Sequence, residues 1–586
     1  MSGSKEKLSK IKYLLPLFHF VLSFVYEQAI LIFADDGSSL TTVAKADFIS
    51  LGAERVIGYI ISKIFAGVII FLFWSLIFYI IKNIKKVREI KFFLIIFAVL
   101  LVFLLFMWPD SFFRSIDNLV TYSDALRFYP DYWHSAYTSF IYCAGLMFFP
   151  MPFSISFLQC VFFVFDLAYI FIRIRKIFPE KKAAPFLVFA LFLIPECFIL
   201  MSDPYRTEIY ALTCIFAVSK VLLDTLSGKE NKTKDLVLLC VLMAFISIWR
   251  SEGIILGLFM LLFIVIREWK QGVKKLVPFI LSFVISFTAF YIPQKIGDMK
   301  YYGSDYSIIN SFAVLHNTLN REDSNLSYEG CEADMAAIEK VVPIEALRLY
   351  GIEGYRRNNV LSDHPDINQS ITSFEEGKAY TKAFRNITLH NPKAYLLTQI
   401  GMLKTAFKLT DRDYIEKIHG NMPLSREYPD YVYMPWESGR EDLFSAPGVN
   451  VWYNNELRTK IRSLFETVRV GVDGFCRKAY ISTLILVAIS LFGVFILIKE
   501  AVSFFGGIRK KKEKKEIITS FTFAYFALAL LIQALAIALV MPAGVTSYFR
   551  TFFVCTFVLD ILFIAVKSTQ KEKTDNENCT LPDNLE

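Results

Sequence analysis

Long apolar runs recur along the chain, and their length predicts its architecture. Most of them hold about 17 to 25 residues, enough for a helix to cross a hydrocarbon core roughly 30 Å thick, whereas a soluble helix needs only one apolar stripe. The runs occupy roughly residues 13–33, 57–81, 91–108, 134–151, 153–172, 184–201, 207–226, 235–249, 253–266, 276–293, 480–498, 516–541 and 549–566. The pattern predicts an all-α polytopic membrane protein with about 12–13 membrane helices.

Composition agrees with this prediction and excludes other classes. The 586 residues are 55% hydrophobic, 16% aromatic and only 20% charged, and the mean hydropathy is +0.45. The formal charge of +8 is concentrated in short loops, where it sets membrane topology, so we expect no nucleic-acid partner. The 9 cysteines show no CxxC pair or metal-ligand spacing, which argues against a disulfide framework or a zinc site. No cofactor is expected, and the sequence leaves the need for a divalent metal open.

The basic loops predict the orientation of the spans. "SKEKLSKIK" at the N-terminus and loops such as "KNIKKVREIK" and "IRKKKEKKE" favour the cytoplasmic side. Both termini are then inside, and residues 109–133 lie outside. That outer loop and the basic stretch from Arg173 are predicted on opposite sides of the membrane, so an odd number of crossings must separate them. The sequence has two apolar runs between them, so one run does not cross. The run 134–151 is short and contains Gly145 and Pro150, so we interpret it as re-entrant or shallow, which leaves twelve crossings. The expected location is a bacterial plasma membrane.

The polar interval 294–479 differs from the rest of the chain. It is rich in Tyr, Asn, Asp and Glu and has a single helical apolar stretch, "AYLLTQIGMLKTAF". We interpret it as a large extracytoplasmic insert. The predicted organisation is N-terminal accessory membrane helices (1–90), a catalytic membrane module (91–293), the insert (294–479), C-terminal membrane helices (480–567) and a disordered cytoplasmic tail (568–586).

Charged residues gather at the predicted outer ends of the spans, where they are costly and point to function. The first outer loop is predicted to form an amphipathic helix on the outer interface, because four of its apolar residues recur at helical spacing. These are Phe112, Ile116, Leu119 and Leu126. Asp110 and Asp117, seven residues apart, fall on nearly one face of that helix. The alternative is an interfacial helix with solvated acids.

Three further clusters lie on the same predicted side. They are Asp203, Arg206 and Glu208 around the start of the run 207–226, Arg250 and Glu252 in a short hairpin, and Tyr548 and Arg550 at the last span. The structural alternatives are helix capping, a weak interfacial ion pair and a snorkelling arginine, in that order. Together the clusters suit a lipid-linked substrate, since arginine matches phosphate oxygens and a carboxylate accepts a proton from an acceptor hydroxyl.

Several short segments resemble the GT-C superfamily of polytopic glycosyltransferases, in particular the bacterial relatives of protein mannosyltransferases and aminoarabinose transferases. They are "WPDSFFRSID", "DYWHSAYTSF", "PECFILMSDPYRTEIY", "WRSEG", "HNPKAYLLT" and "SYFRTFF", within about residues 92–567. Ser135 follows the histidine where the family usually has proline, and Asp110 stands where it usually has glycine.

The resemblance implies a GT-C-like fold and a transfer of sugar from a polyprenyl-phosphate donor to a glycan, lipid or protein acceptor of the cell envelope. It implies that Asp117 is the first-loop acid that positions or deprotonates the acceptor, with Asp110 as the alternative and Asp203 as a second acid. Arg250 and Arg550 would contact the lipid phosphate. Further substrate-binding residues implied by the matching segments are His134, Arg206, Glu252 and Tyr548.

Two other classes remain open. A transporter or flippase of lipid-linked saccharides is favoured by Asp166 and Asp560, which fall inside apolar runs, but the chain shows no internal repeat. A polymerase or ligase of lipid-linked glycans is compatible with the large outer insert. The gathering of charge at span ends favours interfacial chemistry and hence the transferase.

Overall fold

The computed structural model describes residues 13–27, 53–107, 135–180, 182–193, 206–228, 232–250, 252–269, 272–301, 311–350, 374–406, 481–509, 513–540 and 546–579, with isolated positions between 118 and 128 and between 456 and 467. All regular secondary structure in these ranges is helical. Within them, 8 helices are long and apolar enough to cross a membrane. The prediction of an all-α polytopic membrane protein is confirmed at this level.

The helices follow the apolar runs. In chain order they are α1 (Tyr13–Glu27), α2 (Ala53–Asn83), α3 (Arg88–Met107), α4 (Ala136–Phe148), α5 (Phe153–Ile177), a 3-10 helix (Ala184–Leu193), α6 (Arg206–Leu226), α7 (Thr233–Trp249), α8 (Gly253–Glu268), α9 (Val273–Tyr301), α10 (Phe312–Asn320), α11 (Cys331–Glu339), α12 (Ile344–Tyr350), α13 (Phe374–His390), α14 (Pro392–Ala406), α15 (Ile481–Arg509), α16 (Lys514–Val540) and α17 (Thr546–Cys579). Each predicted apolar run contains one of these helices.

The chain forms two compact units. One comprises Met1–Asn231, Pro423–Ser482 and Phe557–Glu586, and the other comprises Lys232–Met422 and Thr483–Thr556. In the first unit α2 packs on α4, α3 on α5, and α5 on both the 3-10 helix and α6. In the second unit α7 packs on α8 and α9, and α8 packs on α16.

The segment interpreted as re-entrant is a short helix that ends against α1 and α2. α4 has 13 residues and is about 20 Å long at 1.5 Å per residue, too short to cross the hydrocarbon core. At its end the carbonyl oxygen of Phe148 lies 2.8 Å from Nε2 of His19 in α1. Trp74 of α2 donates to Nδ1 of the same imidazole at 3.1 Å, so Nε2 carries the proton that Phe148 accepts. The break between α4 and α5 therefore sits beside the middle of α1.

α5 and α6 run in the same direction, and this determines the path of the segment between them. Near their C-terminal ends Arg173 contacts Asp224, and further back Phe165 packs 5.7 Å from Phe216. The chain between two parallel helices must return along their length. Its described part is the 3-10 helix, which rises about 2.0 Å per residue and so covers more distance than an α-turn would.

The insert contains its own helical core, which its polar composition did not predict. Helices α10 to α13 bury an apolar cluster that includes Phe312, Leu315, Val342, Leu347, Tyr380 and Ile387. The predicted apolar stretch forms most of α14, which packs on α10 and α13.

Two predicted boundaries differ from the structure. α9 continues to Tyr301 across the predicted start of the insert at Gln294. α17 continues to Cys579, so residues 568–579 are helical although their composition predicts disorder. This stretch has no glycine or proline, and extending an existing helix avoids the cost of nucleating one.

Candidate functional site

The first outer loop is described only in part. Asp110, Asp117 and His134 lie outside the described residues. Between them, positions 118, 121, 122, 125 and 126 are helical, as the spacing of apolar residues predicted. Of the four residues in the predicted apolar stripe, only Leu126 is among the described residues.

Polar side chains are among the buried residues at the described positions of this segment. Asn118, Thr121, Tyr122 and Ala125 are each at most 3% exposed, and Leu126 of the predicted apolar stripe is only half-buried. Tyr142 of α4 donates to Oδ1 of Asn118 at 3.3 Å. The described part of the loop is thus packed into the protein by hydrogen-bonding side chains.

The loop approaches α2 closely at one glycine. A Cβ atom at Gly58 would lie 2.6 Å from the carbonyl oxygen of Phe128, a distance that no larger residue tolerates. The loop then enters α4 through Ser135, whose φ is 123°. Proline, with φ near −65°, cannot adopt this conformation.

The second cluster lies at the start of α6. Asp203 is outside the described residues, while Arg206 and Glu208 lie in the first turn of the helix. Glu208 is 1% exposed and accepts a hydrogen bond from Thr207. A carboxylate here is favoured by the positive end of the helix dipole, so capping explains part of its presence.

The third cluster is a buried ion pair at the hairpin between α7 and α8. Nε of Arg250 contacts Oε1 of Glu252, and the two side chains are 6% and 4% exposed. Gly253 closes the turn by donating to the carbonyl of Arg250 at 2.8 Å. The two side chains thus form an ion pair, as the structural alternative describes, and the pair is buried inside the protein.

A second glycine brings the two arms of this hairpin together. A Cβ at Gly257 would lie 1.9 Å from Oγ of Ser247 and 2.9 Å from the carbonyl of Met243. Ser247 in turn donates to Met243 at 2.8 Å. The "WRSEGIILGL" segment therefore forms a tight hairpin that holds its two charges at one end.

Arg550, the fourth candidate, lies near the start of α17 and is 6% exposed. Its side chain is therefore surrounded by protein. The side chain of Tyr548 lies outside the described residues. Of the candidates, the structure brings Arg250 and Glu252 into direct contact and places Arg206 and Glu208 on one helical turn.

The structure also contains a polar seam between α5 and α6 that was not predicted as a unit. Asp224 is buried and accepts from Nη2 of Arg173 and Nζ of Lys220, each at 2.7 Å. One heptad before Arg173 lies Asp166, which is 2% exposed and has no hydrogen-bond partner on either oxygen among the described residues. The seven-residue spacing of polar residues along an apolar run was the signal that could have revealed this seam.

A second buried charge pair joins α1 to α2. Lys63 contacts Glu27, donates to Oγ of Ser23 at 3.0 Å, and lies 3.8 Å from the ring centroid of Phe24. Tyr59 donates to the other oxygen of Glu27 at 3.0 Å. Glu27 is thus paired with Lys63 through one oxygen and accepts a hydrogen bond on the other, so the cluster is explained as a structural link between two helices.

Deeper along the same two helices lies a cavity of about 500 Å³. Its lining is mainly aromatic and includes His19, Tyr26, Trp74, Phe149 and Phe157. Both nitrogens of His19 are already hydrogen-bonded, so a ligand in this cavity would make mainly apolar contacts.

No group of three or more His, Cys, Asp or Glu side chains that could hold a metal ion occurs among the described residues. Neither a protein-family model, nor a curated protein, nor a solved structure matches this chain.

Proposed function

We propose that this protein is a membrane glycosyltransferase that moves a sugar from a polyprenyl-phosphate donor to an acceptor of the cell envelope on the extracytoplasmic side. One observation carries the proposal. Four charged side chains at the predicted outer ends of spans are buried inside the protein: Glu208, Arg250, Glu252 and Arg550. Charged residues are almost never so deeply buried unless they are paired or functional.

The residue types suit the chemistry of a lipid-linked donor. Sugar transfer from a lipid phosphate starts with a good leaving group, so the protein must orient the acceptor, accept its proton and stabilise the phosphate. A guanidinium presents paired donors to phosphate oxygens. Arg250 is positioned by Glu252 through Nε.

The arginines are tested by binding of undecaprenyl phosphate to the purified protein in nanodiscs. We expect Arg250→Lys and Arg550→Lys each to weaken binding about tenfold or more, since lysine keeps the charge and loses the bidentate geometry. Arg267→Lys is the matched control, because Arg267 pairs with the buried Glu268 at the opposite end of α8. Equal losses in all three variants, or in none, would contradict the proposed phosphate site.

The acceptor side is tested by transfer of labelled sugar in membranes. Asp117→Asn should lower the rate by about 100- to 10,000-fold, the usual contribution of general-base assistance, while donor binding persists. Asp110→Asn separates the two candidate acids. If only Asp110→Asn is inactive, that residue is the acid.

A transporter or flippase of lipid-linked saccharides is the second candidate. It is favoured by Asp166, because buried carboxylates inside spans often carry protons in transporters. Normal sugar transfer in both aspartate variants would reject the transferase mechanism and favour this candidate.

A further inference from the structure

The insert carries one helix whose exposed face is apolar. Leu396, Leu397 and Ile400 of α14 are 56%, 42% and 47% exposed. On the opposite side Ala394 and Thr398 are buried. A helix at a water-facing surface normally presents polar residues outward, so this face needs a partner.

α14 is fixed to the protein through its buried side. Oγ1 of Thr398 accepts a hydrogen bond of 2.7 Å from Nδ2 of Asn317 in α10. At the beginning of the helix Lys393 forms an ion pair of 2.6 Å with Asp323. The exposed leucines are therefore held outward by the fold of the insert.

The position of α14 identifies what covers this face. Tyr395 donates to the carbonyl oxygen of Leu539 at 3.2 Å. Leu539 is the last residue of the membrane span within α16, and the carbonyls of a final helical turn lack partners within the helix. α14 thus lies where a span leaves the hydrocarbon core.

The apolar face of α14 is continuous with a lipid-facing surface. Leu535 and Leu539 of α16 are 56% and 41% exposed and lie in a span, where exposed leucine contacts acyl chains. Leu396 and Leu397 directly follow Tyr395, the residue that touches α16. Tyrosine suits this depth, since its ring is apolar and its hydroxyl is polar.

We propose that α14 is an interfacial helix that docks the insert on the lipid bilayer, with Leu396, Leu397 and Ile400 inserted among the acyl chains of the adjacent leaflet. The occupant of this face is lipid, and not a second copy of the chain or residues 407–450. The docking goes beyond sugar transfer and stands whether or not the protein is a transferase.

The test measures the depth of a fluorescent label in nanodiscs that contain lipids with a nitroxide near the top of the acyl chain. Single cysteines are introduced at Leu396, Leu397 and Ile400, and Cys197, Cys476 and Cys579 are replaced. The other cysteines are buried and stay. Leu535→Cys serves as the lipid-exposed reference, and Lys378→Cys on the exposed side of α13 serves as the water-exposed reference.

Labels on α14 should be quenched to an extent comparable to the label at Leu535, and the label at Lys378 should not. Absence of quenching at all three α14 positions would overturn the proposal. If those unquenched labels also crosslink differently tagged chains, the partner is a second copy. If they crosslink to residues 407–450, it is a segment of the chain itself. As an independent measurement, Leu397→Glu should increase hydrogen exchange in α14, and unchanged exchange would also count against docking.

Discussion

Several charged residues in this protein are buried together with a residue of opposite charge. Arg250 is matched by Glu252, and Lys63 by Glu27. For one side chain in the insert, pairing also changes its protonation. Hydrogen bonds from Arg321 and Lys393 lower the pKa of Asp323, so this carboxylate keeps its charge in acid better than a free aspartate does.

His316 makes the stability of the insert depend on pH. Its Nδ1 lies 3.0 Å from the carbonyl of Leu347, and burial lowers its pKa below 6.5. The unfolded chain therefore binds a proton more readily than the folded insert, and stability is lost as pH falls below about 6.5.

Hydrogen exchange of α10 and α12, corrected for intrinsic rates, should show weaker protection at pH 5.5 than at pH 7.5. His316→Gln can still donate to Leu347 but does not titrate, so its protection should change less. Equal protection of the wild type at the two pH values would contradict this role of the histidine.

Helix pairs in the membrane region are joined by different means. Gly257 lets α7 and α8 approach closely, whereas α5 and α6 are joined by ionic contacts around Asp224. The seam between α5 and α6 contains both a satisfied carboxylate, Asp224, and an unsatisfied one, Asp166. Their substitutions should have opposite effects.

Asp224→Asn should lower the apparent melting temperature of the purified protein, because breaking a buried ion pair costs roughly 3–5 kcal/mol. Asp166→Leu should leave it unchanged or raise it, since a residue of similar size replaces oxygens that have no hydrogen-bond partner in the described part of the chain. A loss from Asp166→Leu as large as that from Asp224→Asn would show that Asp166 has a structural partner.

Apolar runs were sufficient to predict where most of these helices lie, because helix length and hydropathy follow directly from bilayer thickness. They also separated α4 from α5, with Gly145 and Pro150 as the signal, but they could not predict that the end of α4 contacts His19, which lies far away in the chain. The helical core of the insert also escaped prediction, because its apolar residues are spread over short helices. For the site, the sequence identified Arg250 and Glu252 as neighbours but not their burial.

At the scale of the whole molecule, topology connects the candidate site to the insert. The basic loops predict that the insert and the clusters at span ends share one side of the membrane. The loop before Lys514 is strongly basic, so the predicted topology places the start of α16 inside and its C-terminal end on the same side as the insert. α14 of the insert contacts this C-terminal end.

Cysteine labelling in intact cells tests this arrangement. A cysteine at Lys378 should react with a membrane-impermeant maleimide, and one at Glu513 should react only after permeabilisation, because both positions are exposed but lie on opposite predicted sides. The reverse pattern would place the insert in the cytoplasm and remove the basis for an extracytoplasmic active site.

The contact of α4 with His19 also bears on how the protein is made. A helix of 13 residues has too little apolar length to partition stably into a bilayer by itself. α1 and α2 leave the ribosome first, and they carry the imidazole and the indole that meet the end of α4. Correct insertion of α4 therefore depends on order of synthesis: an early pair of helices provides the docking place for a later segment that the translocation machinery would not retain alone.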